Sequence, residues 1–168
     1  MLTDTAIQEQ IPRLRRYARA LTGSRDAADD LVQDTLERAL GRMALFRPGG
    51  DPRAWLFAIM HNVFVNQVRS AHARRTVPLD VDRIDPRSED GADGRLALRD
   101  LERALAALPR EQREVMLLIA LETLTYADTA KVVGVPVGTV MSRLSRGRER
   151  LRELLNGAAE STPLKVIR

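Results

Sequence analysis

A chain of 168 residues, 44% of them hydrophobic, can bury the core of one medium domain or two small ones. Its 27 Lys and Arg against 23 Asp and Glu leave a net charge of only +4, so the placement of charge says more than its sum. No cysteine is present, which excludes disulfides and thiolate metal sites and fits a reducing compartment. No apolar run approaches the ~18–20 residues that cross a bilayer, and no signal-peptide core opens the chain. A soluble, cytoplasmic protein without membrane insertion is expected.

The first helix is expected over residues 5–21, with Ile7, Ile11, Leu14, Tyr17 or Ala18, and Leu21 as its apolar stripe. Thr22-Gly23-Ser24 breaks it, and Ser24 or Asp26 can cap the next helix, AADDLVQDTLERALGRM. That helix buries Ala28, Val32, Thr35, Leu36, Ala39 and Met43. Acids in its first half and Arg38 and Arg42 at its end complement the helix dipole. Leu31 falls off this stripe beside Asp30, Gln33 and Asp34, so it is read as exposed and able to anchor a partner.

A turn at Arg47-Pro48-Gly49-Gly50 precedes Asp51-Pro52, an N-cap followed by a first-turn proline. The helix that starts there, RAWLFAIMHNVFVNQVRSAHARR, has one side of Leu56, Ile59, Met60, Val63 and Gln67. Arg53, His61, Asn62, Asn66, Arg69, Arg74 and Arg75 gather elsewhere, interleaved with Trp55, Phe57 and Phe64. Cations, aromatics and Asn together suit unstacked bases, through phosphate contact, stacking and edge hydrogen bonds. Trp55 and Phe64 read better as core. Asn62, Asn66 and Arg69 read better as functional, because asparagine is a weak former of helix interiors.

From Asp80 to Asp93 six acids and two arginines stand near Pro86, Gly91 and Gly94, with no hydrophobic period. This reads as a flexible acidic linker that leaves the two halves loosely tethered in free solution. Two more helices follow, RLALRDLERALAAL and one from Pro109, PREQREVMLLIALETL, which turns Val115, Leu118, Ile119 and Leu121 or Glu122 inward. Thr125 then caps a short helix, with Asp128 completing a box-like pair and Ala127, Ala130 and Val133 on its inner face. Gly134 ends it in a left-handed turn, and Pro136 suits the first position of a second helix that buries Val137, Val140 and Leu144. This is the helix-turn-helix pattern. Five arginines (143, 146, 148, 150, 152) against Glu149 alone favour a phosphate backbone over an ordinary solvated face.

The expected fold is therefore all-α: two small helical domains joined by a flexible linker, the C-terminal one a helix-turn-helix. The domains fall at 1–75 and 96–157, with the linker at 76–95 and a fraying tail at 158–168. His61 and His72 lie apart from other ligands, and no phosphate-binding glycine loop occurs. No catalytic residue, metal site or cofactor is expected, and the chain does not read as an enzyme.

This order of elements resembles the extracytoplasmic-function (ECF) sigma factors of bacteria. AADDLVQDTLERAL is similar to the family's core-polymerase-binding helix, and PRAWLFAIMHNVFVNQVRS to its −10 helix. LPREQREVMLL and VGVPVGTVMSRLSRGRERLR are similar to the helices of its −35 module. The resemblance implies a subunit that binds core RNA polymerase through β′ and β, recognises promoter DNA, melts the −10 element and starts transcription. It places Asp30, Leu31, Gln33 and Asp34 on the β′ clamp helices. It places Asn62, Asn66 and Arg69, with Arg74 and Arg75, at the −10 strand, and Thr139, Met141, Ser142, Ser145 and Arg146 at the −35 groove. It also implies an anti-sigma factor as partner. Two positions depart from the family pattern: members often carry a basic residue at Met141 and an aliphatic one at Thr129. A stand-alone helix-turn-helix regulator and a sigma-like decoy for an anti-sigma factor are the competing readings.

Overall fold

The computed structural model describes residues 2–74 and 92–160. Among these, the N-terminal half holds α1 (Asp4–Gln8), α2 (Ile11–Thr22), α3 (Arg25–Leu40) and α4 (Pro52–Arg74), with a 3-10 turn at Met43–Leu45. The C-terminal half holds α5 (Ala92–Ala106), α6 (Arg110–Ala120), α7 (Tyr126–Val133) and α8 (Val137–Glu160). Arg75 and residues 76–91 of the expected linker lie outside the described residues, as does the tail beyond Glu160. Helix α5 already begins inside the stretch read as linker.

Local chemistry accounts for most boundaries. The single helix expected over 5–21 is two, because Pro12 has no N–H to give residue 8 and stands in the first turn of α2. Gly23, at φ 70°, ends α2, and the Ser24 side chain accepts from the Ala27 N–H to start α3. Asp51 Oδ1 accepts from the Arg53 N–H at 2.9 Å and so caps α4.

The N-terminal core is closed by α2 and α4 around α3, with Leu14, Tyr17, Leu56, Phe57 and Met60 fully or almost fully buried. Leu31 belongs to it at 0% exposure, which corrects its reading as a surface anchor. A stripe more than ~100° wide takes in both i+3 and i+4 from Ala28, so Leu31 and Val32 turn inward together. Phe57 meets Tyr17 edge-on with ring centroids 5.1 Å apart, and Trp55 meets Phe46 in the same way at 5.4 Å. These rings are packing groups, and Phe57 is not available to bases.

In the structure the two halves are packed together. Helix α4 packs on α7, and α2 on α6, so the core runs from one half into the other. Charged groups fasten this contact. Glu114 and Glu122 of α6 and its C-terminal turn are buried and take partners from the N-terminal half, His61 and Arg16. In return Arg113 donates to the Leu21 carbonyl at the end of α2 at 3.0 Å. Glu122 is the inward alternative expected beside Leu121, whereas Arg16, His61, Arg113 and Glu114 carry no local sign of a partner, so the contact itself is not legible in the sequence.

Candidate nucleic-acid interface

Helix α7 begins at Thr125, whose Oγ1 accepts from the Asp128 N–H at 3.0 Å and donates to Asp128 Oδ2 at 2.8 Å. That hydrogen bond is the largest of the influences holding the Asp128 carboxyl below its usual pKa, with Lys131 adding to it. A depressed folded-state pKa means that Asp128 stabilises α7 above its unfolded pKa and loses this as pH falls through the folded one. Thr125→Ala should therefore cost about 0.5–2 kcal/mol at neutral pH. In urea titrations from pH 7 down to 3, the gap between variant and wild type should narrow as pH falls. A gap that stays constant with pH would remove Asp128 from the cap.

Gly134 sits at φ 68° and turns its N–H to the Ala130 carbonyl, closing α7. Pro136 lies one residue before α8 rather than inside it, and its carbonyl accepts from Val140. The inner face of α7 is Thr129, Ala130, Val132 and Val133, whereas Ala127 is exposed. The Thr129 hydroxyl is buried and makes no hydrogen bond among the described residues. An aliphatic side chain would fill that position without an orphaned polar group.

Helix α8 buries Val140, Leu144 and Gly147. A Cβ on Gly147 would stand 2.7 Å from Met116 Sδ, so the absence of a side chain lets α8 lie close against α6. Val137 was expected inside but is 41% exposed. The opposite face collects the residues expected at the groove: Met141, Ser145 and Arg146 are exposed, while Thr139 and Ser142 are half-buried. Ser142 Oγ donates to the Thr139 carbonyl at 3.0 Å, so its proton is engaged within the helix. Arg146 forms no ion pair among the described residues, whereas Arg150 pairs with Glu153 at 3.3 Å. The structure thus offers an apolar Met141 and an unpaired Arg146 guanidinium at opposite edges of the outer face of α8, with Ser142 and Ser145 between them.

On α4, Asn62, Asn66 and Arg69 are exposed at i, i+4 and i+7, on one face away from Leu56, Met60 and Val63. The Asn62 amide donates to the Ala58 carbonyl at 2.9 Å. Arg74 ends this helix, and its side chain, like Arg75, lies outside the described residues. On α3, Asp30 and Gln33 are exposed, and Asp34 accepts from Gln67 Nε2 at 2.8 Å across to α4. Asp30, Gln33 and Asp34 form an acidic and polar edge over the buried Leu31.

Among the described residues no group of three His, Cys, Asp or Glu could hold a metal ion, and no helix is long and apolar enough to cross a membrane. Sequence reading missed Arg13, Arg16 and Glu114 and offered Glu122 only as an inward alternative to Leu121; across the two halves Arg13 and Arg16 meet Glu122, and His61 meets Glu114. Their partners stand more than 100 residues apart in the Arg16–Glu122 pair, and no local pattern could have joined them.

Residues 7–61 match the family described as the Sigma2 domain of PhyR, and residues 98–151 match Sigma-70, region 4. A helical module of the first kind followed by a region 4 helix-turn-helix is the two-domain arrangement of sigma factors and their structural relatives. The ECF RNA polymerase sigma factor EcfG of Rhodopseudomonas palustris is 38% identical, over 99% of this chain and 95% of the relative. Sigma factor RpoE of Bartonella quintana, solved with the anti-sigma factor NepR, superposes with a TM-score of 0.78. It is 36% identical, over 92% of this chain and 98% of that one. CnrH, solved with the cytosolic domain of CnrY, gives a TM-score of 0.68 at 28% identity, over 90% and 85% of the two chains. This chain belongs to the ECF RNA polymerase sigma factors.

Proposed function

We propose that this sigma factor divides promoter engagement among three of its exposed faces. The edge of α3, through Asp30, Gln33 and Asp34, meets the β′ clamp helices of core RNA polymerase, and Leu31 supports that edge from within the core. The α4 face of Asn62, Asn66 and Arg69, extended by Arg74 and Arg75, holds the unpaired −10 strand. The N-terminal half of α8 enters the −35 major groove with Thr139, Met141, Ser142, Ser145 and Arg146. On this reading the −10 module spans about residues 1–75 and the −35 module about 96–157, and the protein works in the cytoplasm.

The observation that carries the reading is the division of α8. One face buries Val140, Leu144 and Gly147, and the other presents Met141, Ser145 and Arg146 beyond a capped helix-turn. A reader of duplex DNA needs such a rigid helix with short polar and cationic side chains on its outer face. The complexes of RpoE with NepR and of CnrH with CnrY support an anti-sigma factor as a further partner of this chain.

Run-off transcription with purified core polymerase tests the whole. Specific transcripts are expected from a promoter with matching −35 and −10 elements. Duplex binding without any transcript would point to a stand-alone regulator, and neither would point to a decoy. Within the reader, Arg146→Ala should weaken promoter binding by about 1–3 kcal/mol and relax preference at one base pair. Binding to a panel of single-base promoter variants reads this directly, and an unchanged preference profile would sink the assignment.

A further inference from the structure

Glu122 lies just beyond α6, in the C-terminal half, and its side chain is wholly buried. Its charged partners come from the other half. Arg16 of α2 gives Oε1 two hydrogen bonds, from Nη2 at 2.8 Å and Nε at 3.2 Å. Arg13 Nη1 stands 3.8 Å from Oε2, which has no hydrogen bond among the described residues. Arg16 and Arg53 also donate to the Leu121 and Glu122 carbonyls at 3.1 and 3.3 Å, where the C-terminal end of α6 attracts cations. A second buried carboxylate, Glu114, pairs with His61 of α4, and Tyr17 is buried nearby. Neither carboxylate is fastened within its own module by these bonds.

The two halves cannot stay closed on a promoter. The −35 and −10 elements are about 25 base pairs apart, or ~85 Å at 3.4 Å per pair. A compact chain of this length is roughly 40 Å across. We infer that the Arg13–Arg16–Glu122 cluster is a latch that holds the free sigma factor closed and lowers its affinity for promoter DNA until the halves part. This rests on the promoter reading above for its consequence, but the latch itself is observable without DNA. A buried carboxylate with one oxygen lacking a hydrogen bond is a fastening that can open: its charge must be paired while enclosed, and is readily solvated once released.

The chain has no cysteine, so Glu37→Cys and Asn156→Cys introduce one spin label on each half at exposed sites. In the free full-length protein a short, narrow distance distribution is expected. Glu122→Gln should shift it to longer distances, with the closed-to-open ratio falling about tenfold or more. Arg16→Glu should do the same from the other side. Its side chain is 52% exposed, so it opens the contact without disturbing the core of the C-terminal half. Both variants should bind the promoter fragment from the run-off assay about tenfold more tightly in the absence of polymerase. Unchanged distances in both folded variants would overturn the latch. Longer distances with unchanged DNA affinity would overturn its inhibitory role. A wild-type chain that gave no transcript would count against the promoter reading and leave the distance result to decide the latch.

Discussion

Leu31→Ala should destabilise the protein by about 2–5 kcal/mol, since a fully buried leucine loses its transfer energy and leaves a cavity. For a cooperative unit of this size that lowers Tm by roughly 5–15 °C. The residue lies under the α3 edge, between Ala28 and Thr35, all at or near zero exposure. The Thr35 hydroxyl donates to the Leu31 carbonyl at 2.7 Å, so the backbone here is also tied inward. Gln33→Ala, on the exposed side of the same turn, should change stability by no more than about 0.5 kcal/mol. Thermal and urea denaturation of the two variants separates the roles, and polymerase binding measured below the Leu31→Ala transition completes the comparison. A Leu31→Ala protein as stable as wild type would return this leucine to the surface.

The other large effect belongs to the −10 face. Asn62→Ala with Asn66→Ala should reduce transcription from a duplex promoter roughly 30-fold at the least, if each amide supplies about 1–3 kcal/mol of base contact. The fold should not suffer. Both residues are exposed, and alanine is the better helix former at each. Asn62 must also release its amide from the Ala58 carbonyl, an exchange that an exposed group makes at little cost. The informative comparison is between a fully duplex promoter and one with a pre-melted −10 bubble, both with core polymerase. If the asparagines hold an extruded base, the defect persists on the bubble; if they only help to open the duplex, the bubble restores activity. Normal activity on both templates would make α4 a structural helix at these positions.

Several features were legible because their causes are local. Thr125, Gly134 and Pro136 mark the helix-turn-helix by backbone chemistry that acts within a few residues: a hydroxyl cap, a left-handed glycine and a ring that excludes an N–H. The one-signed arginines along α8 and the recurrent Asn of α4 were likewise visible as departures from what a bland helix needs. Leu31 was misjudged because a helical stripe has width, and one residue at its margin can fall on either side. Its neighbours Asp30 and Asp34 drew it outward on paper, while α2 and α4 close over it in the fold.

The sequence by itself determined the all-α class, the order of the helices, the helix-turn-helix and the family. Each follows from periodicity, caps and turn residues within short windows. Only the tertiary structure decided how the two halves meet. Glu114 looks like an ordinary surface acid in the chain, Glu122 shares an inward position with Leu121 but has no partner in view, and Arg13, Arg16 and Arg53 look like ordinary surface cations. Whether such groups face water or one another depends on the docking of α2 and α4 against α6 and α7. A charge can be buried only where its partner arrives, and the partner of Glu122 arrives from the far side of the chain.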